Sequence, residues 1–199
     1  MSTEWNDSIR SRLLSERVVS LFGRLDDSTV SDLAAQLWSL DALGDEPIEL
    51  LLSVSGGTVN ATSALIDVLD VVGVEIAITC VGGLVGPPVG LLAAVEKRRA
   101  APSARFVLRD EEVRLEGSYR DLDAAVRQHH EQRHSLLSRI AASTNGRQSL
   151  GDVLSDFERG RALGAEDALR YGLIDEIALP RQRGDGRSGP TPGFGFRPS

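Results

Sequence analysis

The stretch Cys80-Val81-Gly82-Gly83-Leu84-Val85-Gly86-Pro87-Pro88-Val89-Gly90-Leu91-Leu92-Ala93-Ala94 decides how the rest of the chain is read. It runs from the end of an apolar strand, through a glycine turn, into a Leu-Ala helix. That is the form of the strand-to-helix elbow which lifts a nucleophile into a cleft. An elbow works by presenting one side chain and, from the next residue, a backbone N–H for an oxyanion. Between Val81 and Ala94 there is no serine, threonine or cysteine, and the prolines at 87 and 88 carry no N–H. The outline of the machinery is present without its chemistry.

Outward from this stretch, the chain repeats a β-α step. Val74 to Cys80 is apolar and β-branched, as expected of a strand covered on both faces. Before it, Ile48 to Val54 reads as a strand ending at Ser55-Gly56-Gly57, and Ala61 to Val71 carries Leu65, Val68 and Leu69 on one helix face. Earlier still, Val18 to Gly23 is a strand candidate. Asp26, Asp27 and Ser28 offer caps to a helix in which Val30, Leu33, Ala34, Leu37 and Trp38 recur at helical spacing. Three such steps predict an α/β domain.

Arg105 to Leu108 is a further short strand. Tyr119 to Ala142 keeps apolar spacing at Leu122, Ala125, Val126, Leu136, Leu137 and Ile140, which predicts a long helix ending before Asn145-Gly146. Ala165 to Tyr171 is read as a last helix and Leu173 to Ala178 as a last strand. The expected division is a short arm over 1–7, one domain over 8–180 and a tail over 181–199. The tail is Arg, Gly, Pro and Ser, too poor in apolar residues to order itself.

Composition narrows the function. A chain of 199 residues, 41% hydrophobic, suits one core of ordinary size. A formal net charge of −7 argues against a general nucleic-acid binder, whose phosphate affinity comes from clustered Lys and Arg. Cys80 is the one cysteine, so no intrachain disulfide can form. The polar start Met1-Ser2-Thr3-Glu4-Trp5 lacks the pattern of a signal peptide, and a cytoplasmic home is expected. Glycines and Pro87-Pro88 divide the apolar run from Ile76 to Ala94, which is expected inside protein and not in a membrane. No cofactor is expected.

Glu16-Arg17-Val18-Val19, Ser53-Val54-Ser55-Gly56-Gly57-Thr58-Val59, the Val81 to Ala94 segment, and the run from Ala165 to Ile177 follow one another in the order and spacing of the landmarks of one family. Between about Asp7 and Ile177 the chain resembles the ClpP family, the serine peptidase subunits of ATP-dependent Clp proteases, which stack heptameric rings into a barrel. The resemblance implies a spiral of β-β-α units, with the long helix as a handle joining two rings. It also implies a serine, a histidine and an aspartate in fixed places. The family's Gly-x-x-x-Ser-Met-Gly stretch, laid on Gly82 to Pro88, puts Gly86 at the serine and Pro87 at the next position. Its Pro-x-x-Arg pattern, matched by Pro102-Ser103-Ala104-Arg105, puts Arg109 at the histidine. The run Arg161-Ala162-Leu163-Gly164-Ala165 puts Gly160 at the aspartate. No triad residue is retained. Gly57, after Gly56, keeps its amide as the other oxyanion donor, although the pair is equally expected as a tight turn needing positive φ.

Substitute chemistry has few candidates. Asp156 lies four residues before Gly160, Ser55 and Ser118 carry hydroxyls, and His129, His130 and His134 are the only imidazoles. The histidines fall on the long helix, which the family fold places far from the elbow. His130 and His134 share a face at i, i+4, but with no third ligand evident the expectation is a solvated helix and no metal. Cys80, ending an apolar strand, reads as packing.

The resemblance also bears on partners. Family tyrosines of the ATPase-docking pocket fall on Leu51 and Glu49, and only a few residues precede Asp7 where the family has a flexible axial loop. ATPase docking is therefore expected to be weakened. Assembly, with itself or with an active ClpP-type paralogue, is expected to persist. In the tail, Phe194-Gly195-Phe196 resembles the hydrophobic-Gly-Phe tripeptide with which Clp ATPases dock onto peptidase rings. The reading is a cytoplasmic pseudo-peptidase, structural or regulatory, with no nucleic-acid or membrane partner. Two alternatives stay open: an active serine endopeptidase whose catalytic residues lie elsewhere, and a crotonase-type acyl-CoA enzyme, which shares the spiral and uses two backbone amides as an oxyanion hole.

Overall fold

Three apolar strands, β1 (Val18–Leu25), β2 (Ile48–Gly57) and β3 (Ile76–Val85), run parallel and side by side at the heart of a computed structural model that describes residues 11–114 and 116–178. The arm and the tail, with Phe194 and Phe196, lie outside the described residues. In β2 alternation decides the faces: Ile48, Leu50, Leu52 and Val54 are fully buried, while Glu49, Leu51 and Ser53 are half-buried on the opposite side. From Ile76 to Cys80 every residue of β3 is buried, Thr79 included, as a strand covered on both faces requires.

Helices α1 (Asp27–Leu43) and α2 (Val59–Val71) return the chain between these strands. Each begins on a side-chain cap: Asp26 accepts from the Thr29 amide at 2.9 Å, and Thr58 accepts from the Ala61 amide at 3.0 Å. The buried stripe of α1 is Leu33, Ala34, Leu37 and Leu40. Trp38 does not belong to it and is 50% exposed, because it sits about 100° around the helix from Leu37.

The expected Leu-Ala helix after β3 is a 3₁₀ helix over Pro87–Ala94. Its prolines supply no N–H, and the first turn closes by Val89 N–H donating to the Gly86 carbonyl at 3.0 Å, three residues back. Pro87 to Leu92 are all buried. Gly90 allows this segment to touch the long helix, since a Cβ there would stand 2.4 Å from Leu136 Cδ1.

Four strands complete a seven-stranded sheet. Strand β4 (Lys97–Ala100) lies parallel to β3 and to β7 (Glu176–Ile177). Strand β5 (Arg105–Leu108) pairs in parallel with Gly83–Val85 of β3 and antiparallel with β6 (Arg161–Gly164). The sequence reading has no β4, because Lys97-Arg98-Arg99-Ala100 does not look like an inner strand. Arg98 is nevertheless buried, its charge matched by Asp175 and by the carbonyls of Ser143 and Gly172 at 3.1 and 3.0 Å. The expected strand Leu173 to Ala178 shrinks to β7, and Leu173 and Ile174 enter the core from a turn.

The long helix, α3 (Tyr119–Ser143), extends one residue past its expected end. Its C-terminal half packs Leu136, Leu137 and Ile140 into the core, whereas Tyr119 and Val126 are 87% and 42% exposed. Helices α4 (Leu150–Arg159) and α5 (Ala165–Tyr171) follow, and α4 is absent from the sequence reading. Among the described residues no helix is long and apolar enough to cross a membrane.

Candidate functional site

The site is built where β3 ends. Gly86 adopts φ 73°, ψ −144°, a backbone that residues with a side chain rarely take. Its N–H donates to the Val107 carbonyl at 2.8 Å, which ties the elbow to β5. A Cβ on Gly86 would stand 3.3 Å from the Arg109 carbonyl oxygen. Strand β5 in turn pairs with β6 up to Leu108↔Arg161, so Arg109 and Gly160 are the next residues on facing strands. Gly160 closes α4 in the left-handed conformation, φ 68° and ψ 45°, with its N–H directed at the Asp156 and Phe157 carbonyls. Three positions from separate segments thus meet at one corner of the fold, and they offer no hydroxyl, imidazole or carboxylate.

On the neighbouring strand, the two glycines of the turn have different causes. Gly56 carries the positive φ, 153°. At Gly57 the constraint is space: a Cβ would stand 2.8 Å from the Leu25 carbonyl oxygen and 3.0 Å from Pro88 Cγ. Gly56, Gly57, Gly86 and Pro87 line a cleft of about 500 Å³, with Arg24, Thr58, Val85, Arg109 and part of the segment 110–114. Thr58 contributes the one hydroxyl of that lining, and its oxygen caps α2.

Charged groups in the cleft are mostly paired. Asp110 accepts two hydrogen bonds from Arg133 of α3, at 2.7 and 2.9 Å. Glu111 Oε1 accepts from the Val59 N–H at 2.9 Å, in the first turn of α2, and stands 3.7 Å from His129 Nδ1. The last contact corrects the expectation that every histidine is remote: α3 brings His129 to within one carboxylate of the cleft. His130 and His134 are exposed on α3.

The other candidates have structural work. Asp156 is buried and accepts from the Tyr171 hydroxyl at 2.9 Å, with Arg161 Nη1 at 3.0 Å. Burial first, and the bond to Asp156 second, push the Tyr171 hydroxyl up from its ordinary pKa. Ser55 donates to the Gly23 carbonyl at 3.2 Å, and Ser118 caps α3 through Asp121. Burial pushes the Cys80 thiol up to about 12, which keeps it protonated and unreactive. On the half-open face of the sheet, burial raises Glu49 against the pull of Thr79 and Arg99, and Leu51 is half-buried two residues on. Arg24 and Glu111 were not singled out from the sequence. Arg24 lies 85 positions before Arg109 in the numbering, and only the sheet brings the two together.

The Clp protease family model matches residues 2–181. Over 175 residues the chain is 32% identical to the ATP-dependent Clp protease proteolytic subunit 2 of Frankia casuarinae, covering 86% of this chain and 80% of that protein. With a mixed α/β fold and a strand-turn-helix elbow in the matched region, this chain belongs to the Clp protease family.

Proposed function

We propose that the chain is a non-catalytic member of its family: a structural or regulatory subunit that assembles in the cytoplasm into rings, with itself or with an active ClpP-type paralogue. The observation that carries this is the meeting of Gly86, Pro87, Arg109 and Gly160 at one corner of the fold. A serine peptidase needs there a nucleophile, a base, an orienting carboxylate and an amide donor. Deleting a single oxyanion donor costs about 2.7–4 kcal/mol of transition-state stabilisation, so Pro87 alone is a large handicap. Gly57 lines the other side of the cleft, and the amide that the family resemblance assigns there as an oxyanion donor supports peptide binding without turnover.

Assembly is supported by the exposed apolar residues Tyr119 and Val126 on the free half of α3, which a solitary subunit would leave in water. ATPase docking is weakened in this reading, because Glu49 would have to be desolvated further on contact. The rival reading, an active serine endopeptidase, has in its favour the Frankia relative, a proteolytic subunit. It needs a free hydroxyl in the cleft, where Thr58 is already a helix cap. Exposure of the purified protein to fluorogenic peptides and to a serine-reactive fluorophosphonate decides between them. No hydrolysis and no labelling are expected, and stoichiometric labelling would overturn the proposal.

A further inference from the structure

The cleft below the elbow holds two guanidinium groups that none of its own carboxylates engages, and the geometry points to a binding site for a peptide carboxylate between Arg24 and Arg109. Asp110 is taken by Arg133, Glu111 by the Val59 N–H, and Glu112 stands 3.5 Å from Arg114. Among the described residues, the guanidinium groups of Arg24 and Arg109 have neither a hydrogen bond nor an ion pair. Two guanidinium groups with unused donors among the described residues therefore line one cavity of about 500 Å³.

Their placement suits an anion with a planar head. Arg24, at the end of β1, lies over Gly56, with Nη1 3.2 Å from where a Cβ would be, so no side chain separates the guanidinium from the turn. Arg109 follows β5 beside Gly86. Gly56, Gly57 and Gly86 line the same cavity and put no side chain of their own into it. A carboxylate has two oxygens and accepts paired N–H bonds from guanidinium forks, so one such group can engage donors from both arginines. The inference rests on reading this cleft as a peptide site without a nucleophile. A peptide supplies a carboxylate from its C-terminus or from an acidic side chain, and the chemistry is the same for both.

The test is fluorescence anisotropy with the full-length protein and three labelled peptides: one with a free C-terminus and no acidic side chain, its C-terminal amide, and the amide with one internal Glu. The free acid is expected to bind at least about tenfold more tightly than the plain amide, the scale of one charge-assisted bond. Recovery of binding by the internal Glu assigns the site to acidic side chains as well; no recovery assigns it to C-termini. Arg24→Gln and Arg109→Gln should each weaken the free acid about tenfold with unchanged unfolding midpoints. Equal binding of acid and plain amide, no binding at all, or wild-type binding by both variants overturns the inference. Mass spectrometry of the recovered peptide separates the two readings: cleavage overturns the non-catalytic proposal, whereas intact peptide with equal binding overturns only the carboxylate site.

Discussion

Arg98 and Asp175 grip each other through two side-chain hydrogen bonds, Nε–H to Oδ2 at 2.9 Å and Nη2–H to Oδ1 at 2.6 Å, and the Arg98 backbone N–H adds a third to Oδ2 at 3.1 Å. The pair joins β4 to the turn before β7, and Arg98 also holds the end of α3 through Ser143. A buried guanidinium in an inner strand is stable only while these partners remain.

Asp175→Asn should therefore destabilise the fold by about 1–3 kcal/mol, the usual cost of unsatisfying a charged hydrogen bond. Burial alone would raise Asp175, but the bonds and charge of Arg98 outweigh it and hold the carboxyl below its ordinary value. A depressed folded pKa gives stability that is present above the unfolded value of about 4 and lost as pH falls through the folded one. Urea unfolding of wild type and variant at pH 7 and pH 3 should show the gap narrowing at the lower pH; a constant gap would show that the ionised pair is not its source.

Gly86→Ser should leave the protein without peptidase activity and lower its stability. The new hydroxyl would face no base at Arg109 and no donor at Pro87, and its Cβ must accept φ 73° and a carbonyl at 3.3 Å. Strain of this kind costs about 1–3 kcal/mol. Thermal unfolding and fluorogenic peptide turnover check both parts. Turnover by this single variant would point to His129 and Glu111 as an unrecognised base pair.

Assembly should depend on the free half of α3 and not on its docked half. Leu136 and Leu137 are 4% and 1% exposed inside the subunit, so polar residues there should unfold it, and even Leu136→Ala should cost about 2–5 kcal/mol. Val126→Asp, by contrast, should keep the fold and reduce ring-sized species in analytical ultracentrifugation. Unchanged sedimentation of a folded Val126→Asp would place the contact elsewhere.

The segment Phe194-Gly195-Phe196, outside the described residues, is expected to bind the aromatic pocket of an active ClpP-type ring and compete with its ATPase, helped by many tails on one assembly. ATPase-dependent degradation of a model substrate should slow with the wild-type protein and not with the Phe194→Ala/Phe196→Ala double variant. Equal effects of the two would remove the tail from docking.

The elements around the elbow are legible where burial follows the period, as at Ile48, Leu50, Leu52 and Val54 of β2 and Leu33, Leu37 and Leu40 of α1, with Trp38 the exception. What escaped is instructive. Strand β4 hides behind Arg98, whose burial depends on Asp175, 77 positions later. Helix α4 could have been found: Ser149 and Asp152 cap one another, with Val153 and Phe157 buried behind them and Gly160 ending the helix. The assignment of Gly86, Arg109 and Gly160 to the triad positions comes from family resemblance alone, since no local pattern in the sequence links these three segments. No local pattern announces the approach of His129 to Glu111 or of Arg24 to the cleft, because both depend on how distant elements pack.

The paired prolines at 87 and 88 also bear on history. The 3₁₀ turn they begin is buried, and Gly57 lies against Pro88 Cγ. Under the non-catalytic reading, a lineage in this state cannot regain hydrolysis by one fortunate replacement. Serine, histidine, aspartate and a non-proline residue would have to arrive in separate segments before selection could reward any of them, and the proline would have to leave a packed site. On that reading the elbow works as a ratchet: with those residues settled in, the freedom left to the cleft is to hold ligands and not to cut them.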